Sequence, residues 1–114
     1  MNPLFGHSMG VGTWAWGDRL FWGYGRGYGE RELFGAYRAS LEAGLRLFDT
    51  AEFYGFGLSE RLLGRFMAEG GEKPYLVTKF FSFPWRLSRK DLQRALRGSL
   101  LRLGVEAVDL YLVK

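Results

Sequence analysis

One pattern recurs along the chain and narrows the folds open to it: an amphipathic helix, a glycine, then a short apolar run. From Glu30 to Ala43 the residues Leu33, Phe34, Tyr37 and Leu41 fall at helical spacing, and Gly44 stands where a left-handed C-terminal cap is wanted. Leu45 to Phe48 reads as a strand that stops at Asp49. A second helix is expected over 59–69, with Ser59 as its N-cap and Leu62, Leu63 and Phe66 on one face, broken by Gly70, Gly71 and Pro74. Tyr75 to Thr78 is the next strand and stops at Lys79. The third helix, over 88–103, opens with Ser88 and Asp91 in capping-box spacing and ends at Gly104, and its strand runs over 108–113 to Lys114. A shorter strand over 9–14 precedes a loop from Ala15 to Tyr28 rich in glycine, tryptophan, tyrosine and arginine.

Strands that alternate with helices predict an α/β fold with a parallel sheet, in which the C-terminal strand ends gather on one face. Asp49, Lys79 and Lys114 share that face, with strands expected at 9–14, 45–49, 75–79 and 108–113 and helices at 30–43, 59–69 and 88–103. Units about thirty residues apart suit a TIM-type (β/α)8 barrel, which takes about 250 residues, so 1–114 is expected to be a single partial domain, about half a barrel. A small open doubly wound sheet is the alternative topology. A half-barrel leaves two strand edges open, so either something covers them or the chain is a fragment.

Composition limits the function classes. With 114 residues and 47% hydrophobic content the chain can bury one core, and no apolar run reaches the roughly 18 to 20 residues of a membrane span. A cytoplasmic protein without membrane contact is expected. There is no cysteine, so disulfides and thiolate metal sites are absent; the one histidine, His7, reads as an exposed terminal residue, and no metal is expected. A net charge of +4 favours anionic partners, nucleic acids or phosphorylated cofactors alike.

The chemistry gathers at FDTAEFYG, Phe48 to Gly55. An aspartate beside a lysine at the mouth of a parallel sheet holds and orients the ammonium. A tyrosine near that ammonium gives up its proton more readily, because the phenolate left behind is stabilised. Asp49, Lys79 and Tyr54 thus make a general acid suited to a carbonyl oxygen, and hydride transfer to the carbonyl carbon would require a nicotinamide, since no side chain supplies a hydride. The alternative is a structural Asp49–Lys79 ion pair with Tyr54 packed on a loop.

The stretch GLRLFDTAEFYGFGLSERLLGRFM, Gly44 to Met67, resembles the signature of the aldo-keto reductases, NADP(H)-dependent carbonyl reductases built on a (β/α)8 barrel. GVGTWAWG at Gly10 to Gly17 is similar to the family's opening strand and loop, LVTKF at Leu76 to Phe80 to its lysine-bearing strand, and VDLYLVK at Val108 to Lys114 to the strand that carries its histidine. The resemblance covers the first half of that barrel. It implies that Asp49 orients Lys79, that Lys79 favours proton release by Tyr54, and that Tyr54 is the catalytic general acid. It also implies that Gly12, Thr13 and Trp14 approach the nicotinamide end of NADP(H), with Asp49 near its ribose. Lys114 stands where the family places its histidine, so the fourth polar position departs from the pattern, and a frayed Lys114 is expected. Most contacts to the rest of the cofactor come from the family's second half-barrel, so weak or absent NADP(H) binding and little activity are expected of these residues alone.

The loop from Trp14 to Glu32 has two readings. As a substrate loop, Trp14, Trp16 and Trp22 line an apolar mouth for a small carbonyl substrate; as a stacking surface it would bind single-stranded nucleic acid, which Asp18, Glu30 and Glu32 disfavour. Arg86, Arg89, Lys90, Arg94, Arg97 and Arg102 read as a solvated helix face. A third reading is a non-catalytic half-barrel that self-associates, or is completed by another half-barrel, through its open edges.

Overall fold

A computed structural model describes residues 10–17, 23–71, 74–86 and 88–114. Four strands, β1 (Val11–Gly12), β2 (Leu47–Asp49), β3 (Tyr75–Phe80) and β4 (Leu110–Val113), form one sheet in the order β1-β2-β3-β4. All neighbours are parallel, with Gly12 opposite Asp49, Asp49 opposite Val77, and Lys79 opposite Leu112. The helices are α1 (Glu30–Glu42), α2 (Leu58–Gly70) and α3 (Arg89–Leu103). Each lies within two residues of its expected bounds. Three strands are shorter than expected: β1 keeps only two residues, β2 begins at Leu47, and β4 begins at Leu110, just after Asp109, whose carboxylate accepts from the N–H of Leu76 (2.7 Å); β3 runs one residue further, to Phe80.

Alternation along the strands divides the sheet into two faces. Phe48 and Leu76 point under the helices and are fully buried with Tyr37, Leu62, Leu63 and Phe66. Rings knit this layer together: Tyr37 meets Phe48 at 5.2 Å and Phe34 meets Phe66 at 5.2 Å between centroids. Leu47, Asp49, Val77 and Lys79 alternate onto the other face. That face carries the charged residues of interest.

The glycine punctuation is as read from the sequence at Gly44 and Gly104, both at positive φ just past a helix. Gly64 has a different purpose, because a Cβ there would come within 2.6 Å of the carbonyl oxygens of Arg102 and Leu103. It lets α2 and α3 touch backbone to backbone. Ser59 is not a cap: α2 starts one residue earlier, after Gly57 at φ 93, and the Ser59 side chain turns inward.

The Ser88–Asp91 capping box is present in both directions, the serine hydroxyl accepting from the Asp91 N–H and the carboxylate from the Ser88 N–H. Hydrogen bonds from Ser88 hold the Asp91 carboxyl below its ordinary 3.8. A carboxyl depressed in the folded state stabilises above its unfolded value and loses that contribution as pH falls through the folded one. The urea midpoint of wild type should therefore exceed that of Asp91→Asn by a constant margin near neutrality, and the margin should close below pH 3.8.

Candidate functional site

Asp49 ends β2 and Lys79 sits one residue before the end of β3, on the same face and one step nearer the mouth. The Lys79 side chain is 9% exposed, whereas that of Asp49 is 45% exposed. An ammonium has three N–H donors. Lys79 Nζ has three acceptors: Asp49 Oδ1, the Thr50 carbonyl at 3.1 Å and Tyr54 Oη at 3.3 Å. The Tyr54 oxygen accepts from the ammonium, which leaves its own hydroxyl proton available to a second partner. Sequence-predicted Asp49, Tyr54 and Lys79 are thus brought together in one contact set.

Tyr54 owes its place to an unusual turn. Gly55, Phe56 and Gly57 all have positive φ, and Phe56 is the only non-glycine among the described residues to do so. A Cβ at Gly55 would fall 2.8 Å from the carbonyl oxygen of Gly17, so the loop after β1 rests directly on this turn. Trp14 stacks on the Tyr54 ring at 6.4 Å and is 53% exposed. Gly12 is exposed at the end of β1, and a Cβ on it would meet nothing within 4 Å.

Thr13 behaves otherwise than expected. It is fully buried, its N–H and hydroxyl both donate to the Asp49 carbonyl (3.0 and 3.1 Å), and its oxygen meets Ser59 Oγ at 2.7 Å. Its side chain is committed beneath the mouth, where it supports Asp49. Trp16 is a second correction: at 5% exposure it packs on Phe48 and Phe66 in the core and lines no mouth. Trp22 lies outside the described residues. So do His7 and residues 18–22 of the Ala15–Tyr28 loop.

The aromatic wall at this end of the sheet comes from residues the sequence did not single out. Phe81, Phe53, Phe83 and Trp85 stack in series at 4.9, 5.4 and 4.8 Å, with interplanar angles of 28° or less. Phe53, Phe83 and Trp85 border a cleft of about 450 Å³ together with Phe56 and the charged Glu52, Arg86 and Arg102. The alternate spacing of Phe81, Phe83 and Trp85 after Lys79 was the available signal.

Two arginines of the expected solvated face are drawn inward instead. Arg86 donates to both oxygens of Glu52 at 2.7 and 3.2 Å, and Glu52 also takes the N–H of Phe81. That hydrogen bond holds the Arg86 guanidinium above its ordinary value. Arg102 donates to the fully buried Glu60, whose other oxygen accepts from Thr78 at 2.6 Å. Tyr111, on the Thr78 side of the sheet, has its phenol pushed up to about 12 by burial and by the charges of Glu52 and Glu60. It stays protonated near neutrality. Lys114 is not frayed in its backbone: its N–H donates to Phe80 and its carbonyl accepts from Ser82.

Parallel βα units thus bring an acid-held lysine and a tyrosine together at the strand ends. A sequence profile described as the Aldo/keto reductase family matches residues 8–114, and the chain belongs to that family. It is 42% identical to a chloroplastic pyridoxal reductase of Arabidopsis thaliana, over 96% of this chain and 33% of that protein. It is 35% identical to methylglyoxal reductase YeaE of Escherichia coli, over 93% of this chain and 34% of that one. Among solved structures, an aldo-keto reductase of Klebsiella pneumoniae in complex with NADPH superposes with a TM-score of 0.72 at 31% identity, covering 91% of this chain and 34% of its own. The chain spans about a third of the length of the relatives it matches. Its parallel sheet and alternating helices are accordingly part of a TIM-type (β/α) barrel. No helix among the described residues is long and apolar enough to cross a membrane.

The Glu60 contacts yield a prediction. Replacing a buried ion-pair partner strands the other charge, so Glu60→Leu should cost about 3–5 kcal/mol. Thermal or urea unfolding would register it, and an Arg102→Met, Glu60→Leu double variant should recover part of the loss because no charge is left stranded.

Proposed function

We propose that these residues form the proton-donating part of an NADP(H)-dependent reductase of small aldehydes and ketones. The observation that carries this is the saturated Lys79 ammonium, whose third donor goes to the Tyr54 oxygen and so leaves the tyrosine proton free. As a carbonyl is reduced, negative charge grows on its oxygen. Tyr54 gives its proton to that oxygen, the product is an alcohol, and the phenolate left on Tyr54 faces the Lys79 ammonium. Asp49 keeps the ammonium in place and prevents it from turning toward solvent. A structural ion pair alone would not require the tyrosine oxygen as the third acceptor.

The residues present suit the nicotinamide end of the cofactor. Gly12 leaves open space at the end of β1, Trp14 offers a half-exposed ring beside Tyr54, and the Asp49 carboxylate is exposed on the side away from Lys79. Thr13 serves from beneath, through Asp49. A bound NADPH would supply the hydride that the carbonyl carbon receives. These groups are few, so the 114 residues taken alone are expected to hold the cofactor weakly. The relatives named as pyridoxal and methylglyoxal reductases support an aldehyde as substrate, and the Phe53–Phe81–Phe83 stack supplies apolar surface for it.

Loss of NADPH absorbance with a reactive aldehyde measures the activity. Tyr54→Phe should lower kcat by about 100-fold or more with little change in aldehyde KM, the range expected for removing a general acid. Unchanged kcat in Tyr54→Phe would refute the assignment. The outer edges of β1 and β4 have no strand partner among the described residues, so pairing with further strands or with a second copy is part of the proposal. Light scattering should then show association at micromolar concentration; a compact monomer down to the lowest measurable concentration counts against pairing between copies.

A further inference from the structure

Ser59 lies in the first turn of α2, immediately after the turn that carries Tyr54, and is fully buried. Its hydroxyl meets Thr13 Oγ1 at 2.7 Å, Thr50 Oγ1 at 3.0 Å and the Thr13 carbonyl at 3.0 Å. Thr13 and Thr50 are fully buried as well. One oxygen on α2 therefore joins the residue after β1 to the residue after β2. Each of those residues in turn holds part of the site: Thr13 donates twice to the Asp49 carbonyl, and the Thr50 carbonyl accepts from Lys79 Nζ.

We propose that Ser59 is a positioning residue, whose hydroxyl fixes the Asp49–Thr50 segment and through it the Lys79 ammonium. Its consequence for reduction rests on the function proposed above; its effect on Lys79 does not.

Counting protons shows why a serine is needed. Each of the three hydroxyls has one proton to give. Among the described residues Thr50 Oγ1 meets only Ser59 Oγ, so Thr50 donates to Ser59 in every consistent arrangement. If Ser59 then donates to Thr13 Oγ1, Thr13 passes its own proton to the Asp49 carbonyl, and a directed chain runs from Thr50 through Ser59 and Thr13 to Asp49. If Ser59 donates to the Thr13 carbonyl instead, Thr13 either keeps its own bond to the Asp49 carbonyl or donates to Ser59, which leaves that carbonyl only the Thr13 N–H. Every arrangement uses Ser59 as donor and acceptor at once. Alanine at this position would leave the Thr50 hydroxyl without its acceptor in a dry site, and the segment would shift or admit water to satisfy it. Because the Thr50 carbonyl belongs to that segment, Lys79 would lose one of its three fixed acceptors.

The test reads Lys79 directly. In protein labelled with 15N-lysine, with Lys79→Arg to assign the signal, exchange of the Lys79 ammonium protons with water reports how firmly its acceptors are held. Loss of one hydrogen bond predicts exchange about tenfold faster in Ser59→Ala and in Thr50→Val. Ser99→Ala is the control, a fully buried serine on α3 whose hydroxyl bonds Arg102 and not Thr13, Thr50 or Lys79. It should lower the melting temperature yet leave the exchange rate within about twofold. Ser59→Thr, which keeps the hydroxyl, should restore most of the wild-type rate. Where turnover is measurable, Ser59→Ala should reduce kcat by about ten- to hundredfold with the KM for NADPH nearly unchanged, as expected of misplacement rather than lost binding.

Exchange in Ser59→Ala and Thr50→Val no faster than in Ser99→Ala would overturn the proposal. If Ser59→Ala does not fold, Thr50→Val, which keeps the shape of the side chain, decides. If wild type reduces no aldehyde, the function proposed above fails, while the exchange rates still establish or refute the role of Ser59.

Discussion

The arrangement turns on a nearly buried ammonium. A lysine removed from water is tolerated only when its charge and all its N–H groups are met, since an unpaired buried charge is strongly destabilising. Lys79 is met by a carboxylate at the end of β2, a carbonyl one residue further, and a phenol from the following turn. Satisfying it fixes the height of β2 against β3 and the position of the turn. The constraint that creates the site is therefore also one that sets the local fold.

The opposite face of the sheet is organised by a second set of charges. Glu52 with Arg86, and Glu60 with Arg102, tie the loops after β2 and β3 and the helices α2 and α3 to one another. Along β3 neighbouring residues point opposite ways with different tasks: Thr78 bonds Glu60 under the helices while Lys79 turns toward Asp49 and Tyr54. After β2 a turn separates Glu52, which accepts from the Phe81 N–H, from Tyr54, which meets the ammonium.

The helices and three strand ends were legible because their signals are local: apolar spacing, a glycine past each helix, and a charged residue closing β2, β3 and β4. The contact of Asp49, Tyr54 and Lys79 followed from strand ends sharing one face. Ser59 was misread because a serine before an apolar helix looks like a cap, and only the third dimension shows the Thr13 and Thr50 hydroxyls waiting beside it. Trp16 was misread for a related reason. An aromatic in a glycine-rich loop carries no periodicity, so nothing in the chain says whether it turns out, as Trp14 does, or under the sheet onto Phe48 and Phe66. Arg86 and Arg102 showed helical or loop charge, but not the buried acids across from them.

Lys114 is where local and family readings part. Parallel pairing of β3 with β4 sets Lys79 opposite Leu112, and alternation carries Lys114 onto the same face. Its backbone is held by Phe80 and Ser82, so the position is defined. The family pattern has a histidine there, which can be neutral and can donate or accept. Lysine only donates, on a longer stem, and brings a full positive charge. An added cation on this face acts in the same direction as Lys79: it stabilises negative charge on a phenolate or on a carbonyl oxygen and attracts anionic ligands. It cannot reproduce the aim of an imidazole, whose ring fixes the direction of its N–H, whereas four methylenes leave an ammonium free to choose. The exchange of histidine for lysine therefore adds a positive charge at this strand end and replaces a ring N–H of fixed direction with an ammonium on a flexible stem.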